Sequence, residues 1–209
     1  MGGKGERVKN LKVKKPFLKI KNYKIYDYIF DKYGSKEKHV ITNNNYLKLI
    51  DKKYNIFKIN TTQSMLQTVE KSINFLTNKA EFFILSCDCF GFFEKLKFKK
   101  FIKKEKSDVV LFAFKISELQ KTSFNAHSSI ELKQKKIKSI KIKKSLNNKN
   151  ELGHAGFFWV KNRNIFNELV KFHLSNKLKR EIILDDYFKY LFDKKLFNIS
   201  CYKLNYYIH

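Results

Sequence analysis

Segments typical of strands and segments typical of helices alternate along this chain, and this alternation constrains its fold more than any other feature. Two continuous apolar runs, 81–86 and 108–114, have the length of strands that are covered on both faces. Between earlier strand-like segments, residues 62–76 carry apolar side chains at helical spacing. Strands that alternate with helices predict an α/β fold with a mostly parallel sheet.

The remaining segments extend the same pattern. They predict helices at 23–33, 46–52, 164–174 and 185–192, and strands at 39–42, 54–59, 155–160 and 197–204. Residues 128–144 indicate two strands joined by the polar turn Gln134-Lys135-Lys136, so the sheet is expected to be mixed. The 209 residues contain one Pro and seven Gly, which leaves little for a linker, and one domain over 1–209 is predicted.

The formal net charge of +26 raises the question of nucleic-acid binding. The lysines are spread along the chain, and the densest run, 133–144, alternates with isoleucines as in a strand with one solvated face. No nucleic-acid-reading motif accompanies the charge. We therefore expect non-specific affinity for polyanions and no specific nucleic-acid partner, and the same positive field would attract a nucleoside triphosphate or a sugar phosphate.

Cysteine usage and hydropathy indicate a cytoplasmic protein. The chain has three cysteines, an odd count that does not suit a secreted disulfide scaffold. Cys87 and Cys89 lack a second cysteine pair for a zinc site, and they are expected to pack beside Asp88. No apolar run reaches the roughly 20 residues that span a bilayer, so no membrane insertion is expected.

The first sixteen residues carry the most informative motif. Glycines allow close approach of the backbone to phosphates, exposed N–H groups form an anion nest, and basic side chains add charge-assisted contacts. The spacing differs from both the Walker loop and the dinucleotide-binding fingerprint. The residues concerned are Gly2, Gly3, Gly5, Arg7, Lys15 and Pro16.

This arrangement resembles the G-G-x-G-x-R signature, followed by K-P, of the sugar-phosphate and phosphocholine-type nucleotidyltransferase superfamily. The resemblance implies a single Rossmann-like (GT-A-like) domain with a mixed, mostly parallel central sheet flanked by helices. It also implies an enzyme that transfers a nucleotide from an NTP to a phosphorylated small molecule and releases pyrophosphate. The three glycines would cradle the phosphates, Arg7 would hold the pyrophosphate, and Lys15 would neutralise the transferring phosphoryl group.

A second segment, Asn60-Thr61-Thr62-Gln63-Ser64-Met65, resembles the N-T-x-x-S-[LM] segment that opens the helix of the nucleotide pocket in this superfamily. The resemblance implies that Thr61 and Ser64 bind nucleotide and favours CTP, with UTP, dTTP and GTP left open. In physical terms Thr61 or Thr62 can cap a helix N-terminus, where free N–H groups favour anions. A cap alone explains the segment equally well.

A third segment, 83–88, resembles the family's apolar strand that ends in an aspartate. An Asp at the carboxyl end of a buried parallel strand lies where α/β sheets bind ligands. The resemblance implies that Asp88 holds Mg²⁺ against the α-phosphate. The alternative role is an Asp that caps the following loop.

A fourth segment, His154-Ala155-Gly156, resembles the family's small residues before a strand near the acceptor pocket. Gly156 would allow close approach of the acceptor, and His154 would contact its phosphate. A glycine in an ordinary strand and a structural histidine are the alternatives.

The chain departs from the family at both ends. Met1 directly precedes Gly2, where the family has an apolar first strand, and residues 206–209 stand where relatives continue into a G-T-P segment. We therefore expect a first strand to be missing and the sequence to be clipped at both ends. One alternative function is a nucleotide-sugar-dependent glycosyltransferase, although Cys87-Asp88-Cys89 replaces the D-x-D motif of those enzymes. The other is a degenerate, non-catalytic nucleotide-binding relative.

Overall fold

The computed structural model describes residues 17–20, 22–33, 37–77, 80–86, 89–116, 128–143, 151–176 and 180–208. The chain divides into two compact units, Met1–Thr77 with Lys177–Leu184 and Asn78–Asn176 with Asp185–His209. The expectation of one domain over 1–209 stays a prediction. Among the helices that the structure describes, none has the length and apolar character to cross a membrane.

The first unit contains a small parallel sheet and two helices. Its elements are β1 Lys19–Ile20, β2 Tyr23–Lys24, α1 Ile25–Tyr33, β3 His39–Thr42, a 3-10 helix Asn44–Leu49, β4 Asn55–Lys58, α2 Met65–Ser72 and a 3-10 turn Ile73–Phe75. β3 and β4 pair in parallel, with Val40 opposite Ile56. The core of this unit is largely aromatic, and its buried members are Phe17, Tyr26, Val40, Ile50 and Tyr54.

The second unit is built on a six-stranded sheet. Its strands and helices are β5 Phe82–Leu85, β6 Phe90–Phe92, α3 Lys95–Glu105, β7 Val109–Phe114, β8 Ser129–Lys133, β9 Lys136–Lys141, β10 Glu151–Val160, a 3-10 helix Arg163–Glu168, α4 Leu169–Ser175, α5 Leu184–Asp193, β11 Ile199–Lys203 and β12 Tyr206–Ile208. The sheet order is β11-β7-β10-β8-β9, with β5 also paired to β10.

The sheet is mixed, as predicted. β11 runs parallel to β7, whereas β10 runs antiparallel to β5, β7 and β8, and β9 runs antiparallel to β8. Consequently β5, β7, β8 and β11 share one direction, while β9 and β10 run the opposite way. The α/β fold with a mixed, mostly parallel sheet is therefore confirmed.

The core of the second unit lies along β7 and the middle of β10. All six residues of β7 are buried, which fits their continuous apolar sequence. Phe98 of α3 packs on this strand, with its ring centroid 5.1 Å from that of Phe112. Phe112 also lies 4.6 Å from Phe157 of β10, so aromatic contacts hold α3 against the sheet.

The predicted strands at 39–42 and 108–114 and the hairpin turn within 128–144 are confirmed. Gln134 and Lys135 both have positive φ, 50° and 66°, as in the two-residue turns that match the twist of a hairpin. The predicted strand at 155–160 was too short. β10 begins at Glu151 because its first residues pair with β8, a non-local contact that periodicity does not reveal.

Several predicted helix boundaries were wrong. Residues 23–33 begin as a strand, since Tyr23–Lys24 pairs with Lys19–Ile20, and only Ile25–Tyr33 is helical. In place of the predicted helix at 46–52 the structure has the 3-10 helix Asn44–Leu49, and the segment predicted as a helix at 164–174 opens with a 3-10 helix before α4. The helix Lys95–Glu105 was not predicted, because its lysines hide the inward apolar positions.

Candidate active site

All the residues to which the glycine-rich motif assigns a role, together with the predicted magnesium ligand, lie outside the described residues. These are Gly2, Gly3, Gly5, Arg7, Lys15 and the predicted magnesium ligand Asp88. Within the described part of the chain, no group of three or more His, Cys, Asp and Glu side chains is placed to hold a metal ion. The roles of these six residues therefore stay predictions.

Ser64, in the N-T-x-x-S-[LM] segment, is the N-cap residue of α2. Its Oγ accepts a hydrogen bond from the Gln67 N–H at 3.3 Å, and the Gln67 side chain accepts one from the Gln63 N–H at 2.9 Å. The first of these bonds satisfies a free N–H of the first helical turn. The expectation that Thr61 or Thr62 caps this helix was wrong. The S-x-x-Q spacing of Ser64 and Gln67 was the signal that could have located the cap.

The two neighbouring threonines differ from each other. Thr62 is buried, and its Oγ1 lies 2.7 Å from Oγ1 of Thr68, one turn into α2. Thr61 is exposed. The side chains of Ser64 and Thr62 thus make hydrogen bonds to residues of α2, whereas Thr61 is the exposed residue of the three.

In the second unit, the first half of β10 and the start of α5 form a buried polar cluster. Nδ1 of His154 lies 3.0 Å from Oδ1 of Asp185, and the Ser128 hydroxyl donates to Oδ2 of the same carboxylate at 2.6 Å. The backbone N–H of His154 donates to the carbonyl oxygen of Ser128 at 2.8 Å. Only 3% of the His154 side chain is exposed, so the ring is held in one orientation.

The electrostatics of the cluster favour an ionised Asp185. Burial by itself opposes ionisation, but the attraction of His154 and the hydrogen bonds from His154 and Ser128 outweigh it. The pKa of Asp185 therefore lies below its ordinary value. Nε2 of His154 is buried and has no hydrogen-bond partner among the described residues. A buried histidine nitrogen without such a partner is a candidate contact for a ligand.

Gly156 follows two residues after His154 on the same strand. Its φ is +74°, and the register between β10 and β7 shifts between His154 and Phe158, which marks a bulge. A Cβ at this position would lie 3.9 Å from Cβ of Ser86 and 4.0 Å from Sγ of Cys89. Ser86 and Cys89 flank residues 87–88 in the sequence. The backbone conformation here is one that glycine adopts most readily.

The register places these residues at one edge of the sheet. Gly153 and His154 lie opposite Phe114 and Ala113, at the carboxyl end of β7. Phe157 lies opposite Leu85, the last residue of β5. The carboxyl ends of β5, β7 and β11 face the same way, and ligands of open α/β sheets bind outside such ends.

A cleft of about 470 Å³ opens at the same edge, where β7 and β11 end. Lys115 and Lys203 both contribute to its lining, and both are exposed. Two ammonium groups beside a cleft favour an anionic ligand such as a phosphate. No local sequence pattern indicates these two lysines as a pair, since only the parallel pairing of β7 with β11 places them together.

Comparison with solved structures identifies the fold. The inositol-1-phosphate CTP transferase from T. maritima matches 99% of this chain and 84% of its own length, with 15% identity and a TM-score of 0.73. A Bacillus anthracis structure assigned to a glucose-1-phosphate thymidylyltransferase, in complex with a sucrose, matches 99% of this chain and 85% of its own, with 12% identity and a TM-score of 0.75.

A nucleoside-diphosphate-sugar pyrophosphorylase from Vibrio cholerae RC9 matches 97% of this chain and 89% of its own, with 14% identity and a TM-score of 0.69. No protein-family model matches the chain. No curated protein matches it either. At these identities the likeness establishes the fold, and this chain has the fold of those three proteins.

Proposed function

We propose that this protein is a nucleotidyltransferase that transfers NMP from an NTP to a phosphorylated small molecule and releases pyrophosphate. The observation that carries the proposal is the fold, which follows three solved nucleotide- and sugar-phosphate-handling proteins over nearly the whole chain. The glycine-rich motif, the Ser64-capped helix and the His154 cluster support it. CTP is the favoured donor, and a sugar phosphate or a similar small phosphate is the acceptor.

In this proposal the acceptor's phosphate oxygen attacks the α-phosphorus in line. The protein supplies position and charge rather than covalent chemistry. Gly2, Gly3 and Gly5 cradle the phosphates, while Arg7 and Lys15 neutralise the charge that develops. Asp88 supplies a carboxylate for Mg²⁺, which would offset phosphate charge when bound.

His154 is proposed to contact the acceptor, with Asp185 as its positioning residue. The Asp185 carboxylate accepts a hydrogen bond from the Nδ1–H group of the imidazole and so orients the ring. Nε2 then accepts a hydrogen bond from a hydroxyl of the acceptor when the imidazole is neutral, and it donates a hydrogen bond to the acceptor's phosphate when the imidazole is charged. Gly156 leaves room for the acceptor to approach the backbone between His154 and the end of β5.

The cellular setting follows from the same proposal. A cytoplasmic enzyme of this class would make activated precursors for surface polysaccharide. This part rests on analogy with the fold's nucleotidyltransferases.

The test measures pyrophosphate release with Mg²⁺ and each of CTP, UTP, dTTP, GTP and ATP. Acceptors are glucose 1-phosphate, inositol 1-phosphate and phosphocholine. The proposal is supported if one donor gives pyrophosphate release. This release should be lost in Asp88→Asn and retained in Lys133→Gln, a control variant in the β8–β9 hairpin. A melting temperature that rises with one nucleotide, without any release, identifies a non-catalytic binder instead. If no nucleotide gives either pyrophosphate release or stabilisation, the result contradicts nucleotide transfer.

His154→Gln separates the acceptor role from the donor role. The variant is expected to raise KM for the acceptor while KM for the nucleotide stays unchanged, because the proposed contact is with the acceptor alone. Equal changes in both constants would contradict this assignment.

A further inference from the structure

Helix α3 carries a concentration of lysines that the other described helices lack. Six of its eleven residues are lysine, whereas α1, α2, α4 and α5 each have one. Lysine and arginine make up 45 of the 209 residues, about one in five, so composition alone predicts about two in a helix of this length. The lysines are Lys95, Lys97, Lys99, Lys100, Lys103 and Lys104, and Lys106 follows at the C-cap.

The stability of the helix does not explain these lysines. Lys95 and Lys97 stand in the first turn, where the helix dipole disfavours cations. Lys99 is four residues from Lys95 and four from Lys103, and like charges at this spacing repel. Among the residues that the structure describes, Lys97 alone of the seven has an ion pair, 2.7 Å from exposed Glu94. An external anion would offset this repulsion.

The helix presents its lysines outward. Phe98 is buried, and its ring lies 5.3 Å from that of Tyr202 in the sheet. Leu96 is 75% exposed on the opposite side. Residues three, four and seven positions further on share its face of the helix, and here they are Lys99, Lys100 and Lys103. An exposed leucine is thus surrounded by lysines.

A neighbouring turn extends this surface. The Asn198 side chain donates to the carbonyl oxygens of Glu105 and Lys106 at 2.6 and 3.0 Å, which fixes the turn after α5 beside the end of α3. Leu196 in that turn is 44% exposed. The turn presents three exposed side chains, Lys194, Lys195 and Leu196. Helix α3 and residues 194–196 together form what we call the basic face.

We propose that the basic face docks this protein on an anionic lipid surface. Lipid headgroups supply the phosphates and carboxylates that the lysines require, and the boundary below them accepts exposed leucines. Leu96 lies within the lysine cluster, which suits a helix that lies in the plane of a membrane interface. A nucleic acid would pair with the same lysines but would gain little from the two leucines.

Vesicle co-sedimentation tests the proposal and needs no nucleotide turnover, so it is independent of the proposed function. The full chain is mixed with vesicles of phosphatidylcholine alone or with about 30% phosphatidylserine, in about 0.1 M salt. Each lysine near such a surface contributes about fivefold to partitioning. Three such factors multiply, so the variant Lys99→Gln/Lys100→Gln/Lys103→Gln is expected to lose about a hundredfold in binding.

The matched control removes equal charge from the β8–β9 hairpin. It is Lys133→Gln/Lys135→Asn/Lys136→Gln, with asparagine at the residue of positive φ. Its binding to the anionic vesicles should fall far less than that of the α3 variant. Leu96→Ser should weaken vesicle binding several-fold and leave the binding of a DNA duplex unchanged. Thermal melting of each variant checks that it is folded.

Three results would overturn the proposal. The first is an absence of binding to phosphatidylserine vesicles by the unmodified chain. The second is equal loss in the α3 and hairpin variants, which would show a response to net charge alone. The third is tighter binding to the duplex than to the vesicles with no effect of Leu96→Ser, which would make the basic face a nucleic-acid surface.

Discussion

Replacement of Gly156 by alanine should destabilise the second unit through its backbone conformation alone. The φ of +74° lies in the region where an L side chain costs about 1–2 kcal/mol. A Cβ would meet Ser86 and Cys89 only at 3.9 and 4.0 Å, which is ordinary van der Waals contact, so no steric cost is added. The expected loss in the free energy of unfolding is therefore about 1–2 kcal/mol.

Urea denaturation and thermal melting measure this loss. For a chain of this length, 1 kcal/mol corresponds to about 2–4 °C, so the melting temperature should fall by about 2–8 °C. Gly156→Asn is the matched control, since asparagine tolerates positive φ better than alanine and should cost less. Gly153→Ala offers a contrast, because its Cβ would lie 2.5 Å from the Phe114 ring and the ring would have to move.

Two outcomes would refute this reasoning. If Gly156→Ala unfolds like the unmodified protein, the positive φ does not constrain the residue. If alanine and asparagine cost the same, the loss has a cause other than φ. The same variant also tests the proposed site, because a methyl group in the acceptor's space should raise KM for the acceptor and leave KM for the nucleotide unchanged.

Three further predictions concern other parts of the molecule. The pKa of Asp185 is lowered in the folded state, so its contribution to stability is present above the unfolded value near about 4 and is lost at lower pH. The stability gap between the unmodified protein and Asp185→Asn, measured in urea, should therefore be constant above about pH 4 and shrink as the pH falls below it, and a gap that stays constant at lower pH would contradict this. Ser64→Ala should lower the free energy of unfolding by about 1 kcal/mol, as measured by thermal melting, whereas Ser64→Asp should retain the cap and the stability. Equal losses in the two variants would argue against capping. Burial raises the pKa of the Cys201 thiol to about 12, so in a Cys87→Ser/Cys89→Ser background a disulfide reagent at about pH 8 should label it only after unfolding.

Local sequence was sufficient where one strand or turn determines its own structure. Residues 109–114 form a continuous apolar run, and the strand is buried along its whole length. The hairpin turn was located from the polar residues between two strands of alternating pattern. The backbone conformation of the turn could not be predicted in the same way. Gln134 and Lys135 both have positive φ, although neither residue type is typical of such turns.

Local sequence was insufficient where tertiary contacts override periodicity. α3 places only Phe98, Phe101 and Ile102 inward, and the lysines between them conceal the apolar face. The start of β10 contains buried Glu151 and His154, which a hydrophobic pattern assigns to a loop. Such conflicts between pattern and structure are expected at functional sites.

The direction of β10 explains why His154 is a candidate site residue at all. If β10 ran parallel to β7, its first residues would lie at the amino edge of the sheet, away from the ends where ligands bind. Because β10 is reversed, Gly153 lies opposite Phe114 at the carboxyl end of β7, and Val160 lies opposite Val109 at its start. The two ends of β10 therefore have different roles. The first end carries the buried His154 cluster, whereas the second continues into exposed Lys161, which forms an ion pair with Asp108 at 3.1 Å at the far edge of the sheet. Periodicity alone gives no strand direction, so the placement of His154 beside the carboxyl ends of β5 and β7 depends on pairing between segments distant in sequence.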